Sequence, residues 1–167
     1  MSTDETNEEI KEESEELDDD GSLKLDEYLD TDEVLLNTHE RVDNDLCGKI
    51  EKMDKTNLEL SLKTIPEMLA DDKGLVHGGF IFGAADYAAM AVVNEPNVVL
   101  VASNAQFLAP VRLGDTVYFK ALVRHKEGRK RNVNVTGHVL DIKVFDGEFK
   151  TVVTDRHVLK LHLGDEK

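Results

Sequence analysis

The sequence has one cysteine and no long apolar run, and each of these shortages excludes a class of protein. Cys47 has no second cysteine to pair with, so no disulfide can form within the chain and nothing indicates an oxidising compartment. A membrane-spanning helix needs about 18 or more consecutive apolar residues, and no run here is that long. The N-terminus also lacks the basic segment and apolar stretch of a secretory signal. We therefore expect a cytoplasmic protein without membrane contacts.

Basic residues are scarce too, because 20 Lys and Arg stand against 35 Asp and Glu, for a net charge of -15. Binding to a phosphate backbone requires a basic face, so nucleic acid is not an expected partner. The six histidines are scattered without the spacing of a metal site, and a lone cysteine cannot supply a ligand pair. We therefore predict no metal site.

Much of the acidity lies in the first 22 residues, which hold eleven Asp or Glu and one lysine. They contain almost no apolar residues, so burial cannot offset the entropy cost of ordering them, and we predict a disordered tail at residues 1–22. Such a segment solvates the chain or docks a partner, and the sequence leaves both open. The rest of the chain is of a size for one domain with a single core.

Residues 23–45 are predicted to form a short helix and a linker, ahead of the main domain at residues 46–163. The helix prediction concerns DTDEVLLNTHERV, where Asp30 or Thr31 can act as the N-cap.

The main domain shows one helical pattern among several strand patterns. Residues 47–53 and 57–63 flank a polar turn and are predicted to pair as a hairpin. The segment GGFIFGAADYAAMAVVN, at residues 78–94, is apolar on every side of a helical wheel and too alanine-rich for a strand, so it predicts a buried helix. An antiparallel meander is predicted to follow at residues 98–108, 115–125, 131–145 and 148–161, with its last turn at Asp146-Gly147.

A helix that is apolar all round must be covered, and only the strands can cover it. We therefore predict an α+β fold in which a long central helix is wrapped by a curved antiparallel β-sheet of five to six strands.

Asp86 is the one carboxylate between His77 and Glu95, within the predicted buried helix. Burying an unpaired carboxylate costs several kcal/mol, so the residue needs a partner or a function. A hydrogen bond from Ser103 or Asn104 on a neighbouring strand is one explanation, and catalysis is the other.

His77-Gly78-Gly79 directly precedes the same helix. Free N–H groups and the positive end of the helix dipole favour negative charge there, which suits an oxyanion hole, although a glycine pair also serves a simple turn.

These two motifs carry a resemblance to a known family. VHGGFIFGAADYAAM, followed by VASNAQFLAPVRLGDTVYFKALVRHKEGRKRNVNV, resembles the hotdog-fold acyl-CoA thioesterases of the phenylacetate-pathway type, from about Cys47 to Leu161. The resemblance implies the hotdog fold and hydrolysis of an acyl-CoA thioester, with coenzyme A as part of the substrate and no cofactor.

The same resemblance assigns roles to the motif residues. It implies that Gly78, beside Gly79, offers its N–H to the thioester carbonyl, that Asp86 is the nucleophile or general base, and that His77 supports the loop. One position departs from the family pattern: Asp71 stands where many relatives have asparagine, six residues before the motif histidine.

A second resemblance supports a different function. Residues from Cys47 to Phe119 are similar to the effector-binding hotdog domain of the malonyl-CoA-responsive fatty-acid regulators, which bind acyl-CoA without hydrolysing it. The alternative function is therefore a non-catalytic acyl-CoA sensor or regulatory protein.

The densest basic cluster, Arg124 to Arg131, spans a predicted hairpin turn. Such turns are usually solvated, but the thioesterase resemblance implies that this region binds the phosphates of coenzyme A. The candidate substrate-binding residues are therefore Arg129, Lys130 and Arg131, with Arg112 and Asn104 as further candidates.

Helix geometry separates the two proposed catalytic groups. The eight residue steps from Gly78 to Asp86 correspond to about 12 Å of helix, whereas both groups must lie within about 3.5 Å of the reacting atoms. A two-fold dimer with antiparallel neighbouring helices would bring Gly78 of one chain beside Asp86 of the other. We therefore expect a homodimer, or a homotetramer built from such dimers. The sequence does not identify the acyl group.

Overall fold

The computed structural model describes residues 34–161, and these residues form one antiparallel sheet and one long helix. Within this range the strands are β1 (Lys49–Met53), β2 (Asn57–Lys63), β3 (Val98–Phe107), β4 (Thr116–Glu127), β5 (Lys130–Val139) and β6 (Ile142–Val153), and the helices are α1 (Asn44–Cys47) and α2 (Gly78–Val93). The strand order in the sheet is β1-β2-β4-β5-β6-β3. The predicted α+β fold is confirmed, with six strands around the central helix.

Helix α2 lies in the centre of the core because its sequence offers small apolar side chains on nearly every side. Nine of its sixteen residues are buried. The sheet covers them with large side chains on its inner face, among them Phe119, Phe145 and Phe149, all fully buried. The helix ends at Asn94, which takes a left-handed conformation at φ 53°.

The predicted turn at Asp146-Gly147 is wrong, because β6 continues straight through it. The chain reverses instead at Leu140 and Asp141, with Leu140 at φ 53°. Gly147 pairs with Val135, and a Cβ atom placed on it would lie 2.9 Å from the ring of Phe149. The glycine therefore serves close packing of aromatic rings within a strand rather than a turn.

The meander is also rearranged relative to the prediction. Strand β3 pairs with β6 and not with β4, while β2 pairs with β4. Residues 108–115 therefore cross from one edge of the sheet to its middle. This leaves β3 at an edge of the sheet, where it pairs on one side only within the described part of the chain.

The predicted helix at residues 30–42 is wrong over its described part, since residues 34–43 form turns and irregular structure. The side chain of Asn94 explains the difference. Its Nδ2 donates to the carbonyl of Leu35 at 2.8 Å, and its Oδ1 accepts from the N–H of Asn37 at 2.7 Å. These bonds tie the segment to the end of α2, and tertiary contacts thus override a weak helical preference.

The predicted acidic tail at residues 1–22, and the part of the helix prediction before residue 34, lie outside the described residues. The division of the chain at residues 22 and 45 stays a prediction. In the range that the structure describes, none of the helices has the length and apolar character needed to span a membrane.

Candidate active site

Asp86 projects from the middle of α2 and is half-buried. Its Oδ1 atom is fully buried and has no hydrogen-bond partner among the described residues. Ser103 and Asn104 are exposed on β3, so the proposed hydrogen bond from one of them to Asp86 is not formed. An unpaired buried carboxylate oxygen is unfavourable for folding, which points to a functional reason for its presence.

Asp86 lines a cavity of about 520 Å³ at the C-terminal half of α2. The wall combines the helix, the start of β3, the segment before α1 and the chain after β6. Its residues are Thr38, His39, Asp86, Met90, Pro96, Asn97, Val98, Val99, Leu100, His157 and Val158. The cavity is large enough for a small organic group, and the carboxylate of Asp86 is one of its few acidic or basic groups.

Burial raises the pKa of Asp86 from 3.8 to about 6. Desolvation is the cause, because removing water destabilises the charged form of a carboxyl group. A carboxylate with a raised pKa is a stronger base and a less solvated nucleophile than an exposed one, and it still ionises at neutral pH.

The motif His77-Gly78-Gly79 forms the start of α2, with His77 as the N-cap. Between residues 34 and 161, no backbone carbonyl accepts a hydrogen bond from the N–H of Gly78 or Gly79. A Cβ atom on Gly79 would lie 2.9 Å from Nε2 of His77, so this position has little room for a side chain. The helix start therefore presents two free N–H groups to an anion or a polarised carbonyl.

Gly78 opens onto a different cavity from the one that Asp86 lines. This second cavity measures about 360 Å³ and is mainly apolar, with walls formed by Leu75, Val76, Gly78, Ile81, Phe107, Leu108, Ala109, Pro110, Val111 and Val144. Of these two cavities, both formed by residues between 34 and 161, the first contains Asp86 without Gly78 and the second contains Gly78 without Asp86.

Asp71 shapes the loop before Gly78. Its Oδ1 accepts the N–H groups of Lys73 at 2.8 Å and Leu75 at 3.2 Å, which forms a tight turn stabilised by the side chain. The carboxylate of Asp71 is thus engaged in hydrogen bonds within its own loop.

The basic turn between β4 and β5 lies at the same end of the sheet as the Asp86 cavity, since the carbonyl of Arg129 accepts the N–H of Val153. Arg129 forms a salt bridge with Asp155. Arg131 is only 8% exposed, and its Nη1 donates to the carbonyls of Gly128 and Lys130. Arg131 therefore stabilises the turn, whereas Lys130 is exposed to solvent.

The remaining substrate-binding candidates lie elsewhere. Arg112 is exposed on the loop that pairs with Leu75, at the Gly78 end of the helix. Asn104 is exposed on β3 opposite Glu148. The structure thus groups the basic turn with Asp86, and Arg112 with Gly78.

Four polar residues of the Asp86 cavity, Thr38, His39, Asn97 and His157, were not predicted from the sequence. Thr38 and His39 belong to the segment predicted as a helix, and His157 lies in a segment predicted as a strand. No local motif marks them, because they reach the cavity only through tertiary folding.

Comparisons with known proteins show which proteins this part of the chain is similar to. The family model of the thioesterase superfamily matches residues 73–145, which include both the glycine motif and Asp86. A solved structure of an uncharacterized protein from Pyrococcus horikoshii is 43% identical with a TM-score of 0.74, over 75% of this chain and 97% of that one. The PaaI protein of the Escherichia coli phenylacetic acid degradation operon is 25% identical with a TM-score of 0.57, over 62% and 81%.

Two curated relatives are longer than the matched region. The Methylthioribose-1-phosphate isomerase of Aquifex aeolicus is 50% identical over 117 residues, which are 70% of this chain and 26% of that protein. Transcription factor FapR of Shouchella clausii is 36% identical over 84 residues, 50% of this chain and 44% of that protein. The chain spans less than half the length of either relative.

Both resemblances read from the sequence are confirmed at the level of the family, the first by the superfamily match and the second by the FapR match. The sheet and its central helix form the hotdog fold, and residues 73–145 within it match the thioesterase superfamily.

Proposed function

We propose that the protein hydrolyses acyl-CoA thioesters, with the Asp86 carboxylate as the reacting group. The observation that carries this proposal is the buried Oδ1 of Asp86, which lacks a hydrogen-bond partner within residues 34–161 and lines an open cavity. A chain gains nothing in stability from such an oxygen, whereas a thioesterase requires a poorly solvated nucleophile or base.

The second catalytic element in this proposal is the N–H of Gly78. It would donate to the thioester carbonyl and stabilise the negative charge that develops on that oxygen as the carbonyl carbon is attacked. Asp86 would attack the carbon directly or activate a water molecule. His77 and Gly79 hold the loop, so neither needs to touch the reacting atoms.

The proposed active site contains residues of two chains. Gly78 and Asp86 line different cavities, so one chain alone does not bring them to one carbonyl group. The edge strand β3 offers an interface, since Val101 is 59% exposed and Phe107 is 55% exposed there. Pairing β3 and α2 with their copies in a homodimer would cover this apolar surface, whether or not two dimers assemble further.

The basic turn is the proposed site for the coenzyme A phosphates. Of the three candidate residues here, Arg129 and Lys130 are exposed, and the turn adjoins the end of the sheet that carries the Asp86 cavity. Arg131 supports the turn from inside. Arg112 and Asn104 remain proposed further contacts, on the Gly78 side of the cleft and on β3.

A sensor function is the second candidate, favoured by the identity of 36% to Transcription factor FapR. In that case the same cleft would bind acyl-CoA without turnover, and Asp86 would contribute to recognition only. For both candidates, we propose the cytoplasm as the location.

Thiol release from a panel of acyl-CoAs, followed with a colorimetric thiol reagent, distinguishes the two functions. We expect turnover by the unmutated protein and a fall in kcat of at least about 10²-fold in Asp86→Asn, with acyl-CoA binding retained. Tight binding without turnover in the unmutated protein would reject hydrolysis and favour the sensor. Near-normal turnover in Asp86→Asn would reject the role of Asp86.

A further inference from the structure

His39 lines the same cavity as Asp86, although the two residues belong to separate elements. The imidazole is half-buried, and its Nδ1 shares a hydrogen bond of 2.8 Å with Oγ1 of the buried Thr38. Its ring also packs against Tyr87, the neighbour of Asp86, with the ring centroids 6.5 Å apart. The ring is thus held at the cavity wall from two sides.

The backbone at His39 indicates that this position is imposed by the fold. His39 has φ 54°, a left-handed conformation that is unfavourable for residues other than glycine, with asparagine, aspartate and histidine as the usual exceptions. The carbonyl of His39 accepts the N–H of Val42 at 3.1 Å, and Asn94 fixes the preceding residues. Tertiary contacts therefore offset the strain and present this ring to the cavity.

The environment of His39 keeps its imidazole uncharged and able to accept a proton. Burial lowers the pKa of His39 from 6.5, so the ring is neutral at pH 7. No hydrogen bond joins His39 to Asp86 in the described range, and both side chains face the same cavity of about 520 Å³, which has room for a reacting group. With Nδ1 occupied by Thr38, Nε2 is the nitrogen that can act.

The other titratable groups near Asp86 are less suited to proton transfer. His157 lies exposed at the rim of the cavity, and its Nδ1 already accepts the N–H of Leu159. Burial, followed by the negative charges of Asp43 and Asp86, raises the pKa of the Cys47 thiol, which keeps it protonated. Burial likewise raises the pKa of Tyr87. Among the groups around Asp86 in the described chain, His39 is the neutral base.

We propose that His39 is the general base that accepts a proton from the hydrolytic water, which leaves Asp86 as the nucleophile. This inference rests on the proposed thioester hydrolysis and divides its two half-reactions between the two side chains.

In the first half-reaction, the Asp86 carboxylate attacks the thioester carbon, the carbon–sulfur bond breaks, and coenzyme A leaves as a thiolate. In the second, water attacks the acyl carbon of the resulting anhydride and its proton passes to Nε2 of His39. The bond from the acyl carbon to Asp86 then breaks, which releases the carboxylic acid and restores the carboxylate. Finally His39 passes its proton to the thiolate, so that water and thioester have become acid and thiol.

Loss of the base should slow only the second half-reaction, and this gives a specific test. In His39→Asn the side chain tolerates the left-handed backbone and keeps a polar atom near Thr38, but it cannot accept the proton. We expect a burst of thiol release of up to one per chain, followed by a steady rate about 10²-fold lower, and an acyl adduct on Asp86 detectable by mass spectrometry. His138→Asn is the matched control, because its residue lies on the outer face of the sheet opposite the exposed Tyr118.

A second variant tests whether His39→Asn lowers the rate by removing the base or by disturbing the structure around it. His39→Gly suits the backbone conformation and leaves room for free imidazole, which should restore the steady rate several-fold. Pyrazole, a ring of the same size that is far less basic, should not. Equal rescue by both rings, a low rate without a burst, or a normal rate in both variants would overturn the role of His39. Absence of hydrolysis in the unmutated protein would instead overturn the proposed function, and this inference with it.

Discussion

Gly78 and Asp86 lie on one helix, yet they open onto different cavities of the same chain. Gly78 offers a free N–H at the helix start, beside apolar walls, and Asp86 offers an unpaired carboxylate oxygen half a helix away. A thioester carbonyl held by one group is out of reach of the other, because the helix is rigid over this distance. The two groups can meet at one substrate only if a second chain supplies one of them.

The first prediction concerns how stability depends on pH at Asp86. Its pKa is raised from 3.8 to about 6 in the folded protein, so the folded state binds a proton more tightly than the unfolded state. The stability of the unmutated protein should therefore fall as pH rises from about 4 to about 6, relative to Asp86→Asn, and the difference should level off above that. Thermal unfolding of both proteins across this pH range measures the difference in their stability. A constant difference would contradict the burial of this carboxyl group.

The second prediction concerns the side chain of Asn94, which ties the segment before α1 to the end of α2. Asn94→Gly keeps the left-handed helix end but removes both side-chain hydrogen bonds, at a cost of about 1 to 2 kcal/mol in the free energy of unfolding. Asn94→Ala should cost about 1 kcal/mol more, because alanine is strained at φ 53°.

Hydrogen exchange of residues 34–42 should rise in both Asn94 variants, and kcat should fall in Asn94→Gly because His39 belongs to the loosened segment. Unchanged exchange there would show that Asn94 does not hold the segment.

The third prediction concerns the turn that was wrongly placed. Gly147→Ala should destabilise the fold by about 1 to 3 kcal/mol, since the added Cβ would lie within 3.0 Å of the Phe145 and Phe149 rings. Leu140→Gly should leave stability unchanged or raise it by up to about 1 kcal/mol, because glycine relieves the strain at φ 53°. Denaturant unfolding compares the two. If Gly147→Ala left stability unchanged and Leu140→Gly lowered it, the turn would instead lie at Asp146-Gly147.

The fourth prediction separates the members of the basic turn. Neutralising Arg129 and Lys130 together should raise the KM for acyl-CoA more than the KM for an acyl-pantetheine, which lacks the nucleotide phosphates. Arg131→Ala should chiefly lower the melting temperature, since its guanidinium holds two turn carbonyls. If the double variant raised both KM values equally, the turn would be a solvated surface that does not bind the phosphates.

The sequence predicted the central helix and most strands because their periodicity is strong. Alanine and other small apolar residues on every side of the helix are consistent only with a buried position. The alternation of apolar and polar residues in β2 and β4 indicated half-buried strands. The helix motif also located Gly78 and Asp86, since both lie on one short continuous segment.

The errors have a common cause, which is long-range packing. Asp146-Gly147 is a frequent turn pair, but contacts with Phe145 and Phe149 keep Gly147 in a strand, while Leu140 takes the left-handed turn position that glycine or asparagine usually holds. His39 enters the site through bonds between Asn94 and its own segment, 57 and 59 residues apart in sequence. The sequence pattern around a residue does not predict contacts with residues so far away in the chain.

The central claim is that Gly78 and Asp86 act across a dimer interface, and mixing two inactive variants tests it most directly. Asp86→Asn removes the carboxylate, and Gly78→Pro removes the N–H at the first helical position, where proline is tolerated and the preceding His77 already has an extended backbone. Each homodimer should be nearly inactive. Circular dichroism and size-exclusion chromatography must first show that the proline variant folds and dimerises.

When the two variants are unfolded and refolded together in equal amounts, random pairing makes half of the dimers mixed. Each mixed dimer has one site with both intact groups and one site with neither, so about a quarter of the unmutated activity should return. Activity that stays at the level of the separate variants would contradict a site shared between Gly78 of one chain and Asp86 of the other.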